Sequence, residues 1–332
     1  MKSNKIVSNI GLDIGTSKVK LVELQALQDT VELVKFDLQP IEPDLGSLLK
    51  RLTPSYQAVN ISVSGAQTVI RYIDFPKMEE AELKQALKFE AQKYIPFPIS
   101  EVKLDSYILR TTLADNKMLV LVAAVKKDFV NQRLKIIQEA GFKANIVDLD
   151  SLALINAFNF NYPKDENADT KNKAVALLNI GASMSNLSIL ESGLPVLSRD
   201  IHIAGNTLTQ KIQDLLSIDP KAAEEAKLNT QKEQLEKVIA AADAVLSDLA
   251  KELRVSFDYY ESQSTSSVTR IFLSGGGGQM AGLKDALANL LGFEVEYWDP
   301  FRKIKIPENI DTEEIKALSG QLAVAVGLAL RK

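Results

Sequence analysis

The sequence predicts an α/β protein made of two related halves that face one another across a cleft. Residues 12–24, LDIGTSKVKLVEL, place a turn of glycine and hydroxyl residues between two apolar strands. Residues 178–190, LNIGASMSNLSIL, repeat this pattern half a chain length later. Strand and helix patterns follow each copy, and 332 residues are more than one hydrophobic core usually holds. We therefore expect a duplicated domain whose two turns hold a ligand from both sides.

The composition argues against several classes of protein. Net charge is −4, with acidic and basic residues interspersed, so we expect no nucleic-acid surface built on bulk charge. The chain has no cysteine, which excludes disulfides and thiolate metal sites. No segment approaches the ~20 apolar residues of a membrane helix, and the N-terminus lacks the apolar core of a signal peptide. We expect a protein kept inside the cell that meets a membrane only through a partner.

The first half of the chain reads as a strand-rich lobe followed by a β/α module at residues 75–145. An amphipathic helix opens the module, and the prolines within residues 96–98 are expected to end it. A second helix is predicted to end at Gly141. The apolar stripe of the first helix comprises Leu83, Leu87, Ala91 and Tyr94.

The second half repeats the plan after a polar, aperiodic stretch at residues 161–173, which is the best linker candidate. Strands come first, three helices follow, and a strand then runs into four glycines. A closing helix carries small residues that permit close approach of a neighbouring element, namely Gly320, Ala323 and Gly327.

The twin turns have the chemistry of a phosphate cradle. A turn containing Gly15 exposes successive N–H groups, and Thr16, Ser17 and Lys18 add hydroxyl and ammonium donors. Asp13, at the strand end, is placed to hold Mg²⁺ through water. A single copy of such a turn is read more readily as a plain β-hairpin with small residues. Two copies favour a duplicated domain that grips a phosphate chain.

Two further elements are candidates for ligand contact. In FLSGGGGQMAGL, residues 272–283, four glycines allow a backbone to approach a ligand closely, although a flexible loop is the alternative. In AEEAKL, residues 223–228, Glu224 and Lys227 lie one helical turn apart. Taken alone, this pair reads as a solvated ion pair.

Together these four elements resemble the actin-like ATPase superfamily, which includes actin, sugar kinases, DnaK-type chaperones and the division protein FtsA. GLDIGTSKVKL looks like its first phosphate loop, LLNIGASMSNL like its second and LSGGGGQMAGL like its adenosine loop. VDLDSLALINAF and SGQLAVAVGLAL look like its two connecting helices. Glu224 and Lys227 match adenosine-contacting positions of the FtsA-like branch. Gly205 and Asn206 match a strand–helix turn that faces the nucleotide.

Within the superfamily the sequence resembles the PilM-type type IV pilus assembly proteins. The segment that carries this likeness is ELKQALKFEAQKYIPFPISEVKLDSYIL, residues 82–109, with its E-A-x-x-Y-I-P-F-P helix end. The resemblance implies a cytoplasmic scaffold at the inner face of the cytoplasmic membrane. It would bind the cytoplasmic N-terminus of the inner-membrane protein PilN in a groove beside the inserted module. Other pilus inner-membrane and motor components are possible partners, and ATP would set the lobe angle.

The resemblance also implies an actin-like ATPase fold, in which two duplicated lobes surround a nucleotide cleft and an FtsA-like subdomain is inserted, with ATP and Mg²⁺ as cofactors. The expected division is 1–74 and 146–165 for the first lobe, 75–145 for the inserted subdomain, 173–215 and 268–310 for the second lobe, 216–267 for a helical subdomain, and 311–332 for the closing helix. The expected nucleotide-binding residues are Asp13, Gly15, Thr16, Ser17, Lys18, Asn179, Gly181, Ala182, Ser183, Gly205, Asn206, Glu224, Lys227, Gly275, Gly276, Gly277, Gly278 and Met280.

One departure from the superfamily pattern concerns hydrolysis. The second phosphate loop usually begins with aspartate, and here it begins with Asn179, which cannot accept a proton. We expect nucleotide binding with slow hydrolysis or none, and name no catalytic residue. Asp148 and Asp150 either orient a water or are ordinary polar residues at a strand end. The single histidine, His202, is interpreted as structural.

Three alternatives differ in what they would require of the chain. An FtsA-like division protein usually adds an amphipathic membrane helix after a linker, whereas this sequence stops on the connecting helix. A small-molecule kinase of the superfamily needs an intact acidic second loop, which Asn179 lacks. The cytoplasmic domain of a type II secretion protein continues into a transmembrane helix, which this sequence does not contain.

Overall fold

The computed structural model describes residues 8–28, 30–52, 58–162, 173–229 and 232–331. The strands are β1 Ser8–Ile14, β2 Lys18–Ala26, β3 Val31–Pro40, β4 Ala58–Val63, β5 Thr68–Pro76, β6 Val102–Arg110, β7 Lys117–Lys126, β8 Lys143–Leu149, β9 Lys173–Ile180, β10 Ser185–Glu191, β11 Leu194–Ile201, β12 Ser267–Ser274, β13 Glu294–Tyr297 and β14 Ile304–Lys305. The helices are α1 Leu45–Leu52, α2 Glu80–Glu90, α3 Lys127–Glu139, α4 Asp150–Asn161, α5 Gly205–Leu216, α6 Pro220–Leu228, α7 Lys232–Glu261, α8 Leu283–Leu291 and α9 Thr312–Ala329.

Two sheets share one topology, as the internal repeat predicts. The first has the order β14-β3-β2-β1-β4-β8 and the second the order β11-β10-β9-β12-β13. In each, the first three strands of the lobe are antiparallel neighbours, and a later strand joins parallel to the first one. The duplicated turns, between β1 and β2 and between β9 and β10, therefore occupy equivalent places in the two lobes.

Helices α4 and α9 lie between the two sheets and pack against each other. Their shared core takes Leu24 from the first sheet and Phe272 from the second. The helices approach closely at Gly327, where an added Cβ would lie 1.8 Å from the backbone oxygen of Ala153. The prediction that small residues of the closing helix allow close approach is confirmed at this position.

The inserted module is a three-stranded sheet of order β5-β7-β6 with α2 on one face. Leu83, Leu87 and Ala91 of the predicted stripe are buried against it. Helix α2 ends at Glu90 rather than at the prolines, because a 3-10 turn at Ala91–Lys93 tightens the chain first.

The edges of the module differ in detail from the expected range of 75–145, which remains a prediction. Its sheet begins at Thr68. Helix α3 ends as predicted, with Gly141 at φ +90°, but Ile137 and Phe142 belong to the core of the first lobe. Helix α3 thus ties the module to that lobe.

Two further predictions concern the polar stretch at residues 161–173 and the membrane-spanning character of the helices. The linker predicted at residues 161–173 lies almost entirely outside the described residues. Within the described ranges, no helix combines the length and the apolar character that a membrane crossing requires.

Candidate nucleotide-binding site

The twin turns face each other directly across the cleft. The Thr16 Oγ1 and Ser183 Oγ atoms are 3.0 Å apart, one from each lobe. Each turn is closed by an equivalent backbone bond, from Gly15 N to Lys18 O at 3.1 Å and from Gly181 N to Met184 O at 3.0 Å. The structure therefore brings the two predicted loops together as a pair of hydroxyl-bearing turns.

The glycine loop after β12 packs against the second turn. Gly275 has φ +86°, and a Cβ on it would lie 2.3 Å from the backbone oxygen of Ile180. Its N–H donates to Gly320 O of α9 at 2.8 Å. A glycine is required here by the neighbouring protein backbone. Gly276 leads into a short 3-10 turn at Gly277–Gln279, and Met280, which follows it, is buried in the second lobe's core.

The first turn of α5 supports the second loop. Gly205 N donates to Gly181 O at 2.9 Å and Asn206 N donates to Ala182 O at 2.8 Å. These two N–H groups, which the sequence suggested for the nucleotide, are already satisfied by the protein. They hold the second turn in shape beneath the cleft.

Lys227 is not part of a solvated ion pair. Its side chain is 3% exposed, and its ammonium donates to Glu224 Oε2 at 2.6 Å, Thr209 Oγ1 at 2.8 Å and Gly205 O at 3.3 Å. Burial raises the pKa of Glu224, but hydrogen bonds from Lys227 and Thr209 outweigh it and leave that pKa below its ordinary value. Sequence reasoning missed Thr209, whose spacing of one helical turn after Gly205 was its only signal.

Lys18 links the first turn to α9 and to the glycine loop. Its Nζ donates to Gln321 Oε1 at 2.9 Å, and Gln321 Nε2 donates to Gln279 Oε1 at 2.8 Å. Gln279 in turn donates to Ala317 O at 2.8 Å. Neither glutamine is marked by a sequence signal, because their meeting depends on the packing of α9 against the second lobe.

Burial and positive neighbours lower the pKa of the Lys18 ammonium. Desolvation is the largest cause, Lys20 and Lys227 act in the same direction, and Glu224 opposes them. Three ammonium groups thus converge on the cleft, one of them bonded to a neutral amide. Such an arrangement suits an anion with several charged oxygens.

The acidic residues near the first turn are engaged by the protein. Asp13, 6% exposed, accepts from Lys20 Nζ at 2.8 Å. Asp148 pairs with Arg331 at 2.6 Å, so of its two sequence readings the structural one is supported. Burial and the charge of Asp13 raise the pKa of Asp150. On the second loop, Asn179 Oδ1 accepts from Ser274 Oγ at 3.2 Å.

A cavity of about 560 Å³ lies beside the glycine loop. Its walls come from the end of α6, the end of β12, Tyr297 and Trp298 near β13, and the first half of α9. Gly275, Gln279 and Gln321 line it, so the cavity meets the Lys18 network. Its place and size suit a planar base with an attached sugar.

A second cavity, of about 270 Å³, separates the lobes near Asp150. Asp200 and the exposed His202 from the second lobe line it, together with residues at the start of β5. His202 is therefore a cleft residue and not a core residue. Over the parts of the chain that the structure covers, no group of three acidic or histidine side chains converges as a metal site would need.

Two duplicated α/β lobes, joined by crossing helices and carrying paired turns at the cleft, constitute the actin-like ATPase fold. Residues 11–332 match the family model of the type IV pilus assembly protein PilM. Because this match covers nearly the whole chain, the protein belongs to the PilM family.

Two solved structures illustrate the likeness. A chain of a PilM–PilN type IV pilus biogenesis complex is 28% identical, with a TM-score of 0.84 and 98% of each chain covered. The ethanolamine utilization protein EutJ from Carboxydothermus hydrogenoformans is 12% identical, with a TM-score of 0.58 over 98% of this chain and 89% of that one. The second similarity concerns the fold alone. The comparisons favour neither the division-protein nor the kinase alternative.

Proposed function

We propose that this protein is a nucleotide-responsive scaffold of a type IV pilus machine, which binds the cytoplasmic N-terminal segment of a PilN-type inner-membrane partner. The observation that carries the proposal is the whole-chain similarity to a PilM–PilN complex, at 28% identity and a TM-score of 0.84. The partner would hold the protein at the inner face of the cytoplasmic membrane. Further pilus components remain possible partners.

The nucleotide is proposed to be ATP, held with its phosphates at the twin turns and its base in the 560 Å³ cavity. Support comes from the facing hydroxyls of Thr16 and Ser183 and from the convergence of Lys18, Lys20 and Lys227. Hydrolysis would be slow or absent, since Asn179 offers no carboxylate to activate water. The donor set fits Mg²⁺ poorly, because Asp13, the residue expected to hold the ion through water, is paired with Lys20.

The docking surface for the peptide is proposed to be the face of the module's sheet opposite α2. Strand alternation puts Leu104 and Ile108 of β6 on the α2 side and Tyr107 on the other. Tyr107 is 69% exposed and lies in register with Leu121 of β7. Tyrosine is one of the residue types that are enriched in binding hot spots, and an exposed ring is free to be covered by a partner.

Nucleotide is proposed to act on this surface through contacts between the module and the second lobe. Tyr72 of β5 is hydrogen-bonded to Ser198 of β11 at 2.8 Å. Ser198 contacts Ser188 at 3.2 Å, and Ser188 donates to Asn186 at 3.3 Å. Asn186 is the register partner of Asn179 in the second phosphate loop. These hydrogen bonds and the strand pairing connect the second phosphate loop to the module. A change of lobe angle at the nucleotide would therefore reach the module through them.

The test is calorimetric titration of the protein with a peptide of the partner's cytoplasmic N-terminus, run with and without ATP, and with a scrambled peptide as control. The proposal expects saturable binding of the native peptide, with an affinity that changes when ATP is present. Absence of binding under both conditions would remove the scaffold function. Equal affinity with and without bound ATP would leave the scaffold and remove the nucleotide response.

A further inference from the structure

The carboxylate that a nucleotide-bound magnesium ion would need is already neutralised by the protein. Asp13 lies at the end of β1, and Lys20 on the paired strand β2 reaches it at 2.8 Å. The two residues are directly opposite in the strand register, so the pairing is built into the sheet. Both side chains are largely buried, at 8% exposure for Asp13 and 17% for Lys20, which limits screening by water.

Lys20 also lies near the second carboxylate of this region. Its charge acts on Asp150, whose pKa is raised by burial and by Asp13. The ammonium of Lys20 thus sits in the field of two carboxylates, which is the position that a divalent cation takes in sites of this chemistry. Lys20, a residue of the chain itself, thus supplies some of the positive charge that a divalent cation would bring to this position.

The remaining surroundings disfavour a divalent cation. Lys18 brings a further ammonium to the first turn, and the second loop presents the neutral amide of Asn179. Magnesium keeps several waters and is usually held by one or two carboxylates together with phosphate oxygens. Here the ion would have to displace Lys20 from Asp13 and stand beside a second positive charge.

We propose that the site binds a nucleoside triphosphate without a divalent cation, with Lys20 and Lys18 neutralising the phosphates in place of magnesium. This inference rests on the nucleotide binding proposed above. Lys20 would contact the phosphate chain while it remains paired with Asp13, and Lys18 would exchange its bond with Gln321 for a phosphate oxygen. Exchanging a neutral amide partner for an anion gives the donor and the acceptor opposite charges, which strengthens the Lys18 bond.

The test compares ATP affinity in excess EDTA with ATP affinity in excess Mg²⁺, using the full chain. Calorimetry gives the affinity, and the fluorescence of the single tryptophan, Trp298 in the wall of the base cavity, gives a second readout. The inference expects affinities within about threefold of each other, or tighter binding in EDTA. Binding only with Mg²⁺ would overturn the inference and leave nucleotide binding intact. Binding under neither condition would overturn both.

Single substitutions distinguish the roles of Lys20 and Lys18 in nucleotide binding from the general effect of removing one positive charge. Lys20→Met releases Asp13 and should weaken binding in EDTA by about tenfold or more, with part of the loss restored by Mg²⁺. Lys18→Met should weaken it by a similar factor without a gain from Mg²⁺. Lys88→Met, on exposed α2 of the module, is the matched control and should change neither affinity. Unchanged binding in EDTA for both cleft variants would contradict the assignment, and thermal unfolding would report whether each variant is folded.

Discussion

Lys18 is distinguished from the other two cleft lysines by a neutral hydrogen-bond partner. Lys20 and Lys227 are paired with Asp13 and Glu224, whereas Lys18 donates to Gln321. Its ammonium is therefore held in a partly buried position by an amide. Desolvation is the largest cause of its lowered pKa, and the positive neighbours lower that pKa further. An incoming phosphate would reverse this shift, since an adjacent anion favours the charged form.

The lowered Lys18 pKa predicts a pH dependence of nucleotide binding. The free protein loses this proton at a pH below the ordinary lysine value of 10.5, whereas the phosphate-bound form keeps it. Affinity for ATP should therefore fall as pH rises from neutrality towards 10.5. Lys18→Arg keeps its charge over this range and should flatten the profile. Parallel profiles for the wild type and Lys18→Arg would show that another group controls the dependence.

Tyr107 and Phe89 form a matched pair of exposed aromatic residues on one module. Tyr107 lies on the proposed docking face, and Phe89, 80% exposed, lies on α2, which covers the opposite face. Tyr107→Ala should weaken binding of the partner peptide by about tenfold or more, as truncation of an anchor does. Phe89→Ala should leave it unchanged, as peptide titration of both variants would show. A loss for Phe89→Ala alone would place the peptide on α2.

Gly327 is the residue at which two central helices meet. An added methyl group would overlap the backbone of Ala153, which a rotamer change cannot relieve. Gly327→Ala should lower the free energy of unfolding by about 3 kcal/mol or more. Gly46→Ala in α1 is the control, because its added methyl group would have Asp44 Oδ1, at 3.5 Å, as its nearest neighbour, and it should be neutral or stabilising by up to about 1 kcal/mol. Chemical denaturation of both variants measures the difference.

At the scale of elements, β5 and β11 make the contact that joins the module to the second lobe. Tyr72→Phe keeps the ring and removes the hydroxyl bonded to Ser198. The ratio of peptide affinities with and without ATP should move towards one, while stability falls by only about 1 kcal/mol. Tyr259→Phe on the exposed side of α7 is the control. An unaltered ratio in Tyr72→Phe would mean that this contact does not transmit the nucleotide response.

A second contact between the module and the second lobe is electrostatic. Arg110, at the end of β6, lies 3.7 Å from Glu191 at the end of β10. The pair is only partly buried, so we expect it to contribute little to stability. It adds a second point at which the module contacts the second lobe.

The elements of the fold were largely predictable from sequence because their signals are local. Apolar spacing marked α2, a glycine marked the end of α3, and the repeated turn marked both lobes. The true end of α2 was missed because a 3-10 turn precedes the prolines. That turn depends on the burial of Ala91 against the sheet, which composition does not reveal.

The site was predictable in its loops but not in its hydrogen bonds. The repeat alone predicted that the two turns are equivalent, but it aligns Thr16 with Ala182 and Ser17 with Ser183, so it did not predict the contact of Thr16 with Ser183. The N–H groups of Gly205 and Asn206 are taken by the second turn, and this depends on how α5 docks. The pairing of Asp13 with Lys20 follows from strand register, which a single sequence does not specify at this turn.

At the scale of the whole molecule, the two lobes are bonded across the cleft by Thr16 with Ser183 and by Lys18 through Gln321 of α9 to Gln279 of the glycine loop. A triphosphate would enter between these groups and replace contacts between lobes with contacts to ligand. To act on the partner, ATP must bind one lobe angle more tightly than another, and a coupling of 1–3 kcal/mol is typical of such effects. The module is positioned to respond because it touches both lobes.

Helix α9 has a consequence for how the chain acquires its structure during synthesis. Backbone atoms of this helix lie against β1 and β4: a Cβ on Gly11 of β1 would lie 1.9 Å from Ala325 O, and Asn60 of β4 donates to Leu328 O at 2.9 Å. The ribosome makes β1 early and α9 some three hundred residues later. During synthesis, β1 and β4 therefore stay incompletely covered until α9 has been made. Contacts of such long sequence separation predict slow folding. The exposed apolar surface of the early strands is the kind of surface that chaperones bind.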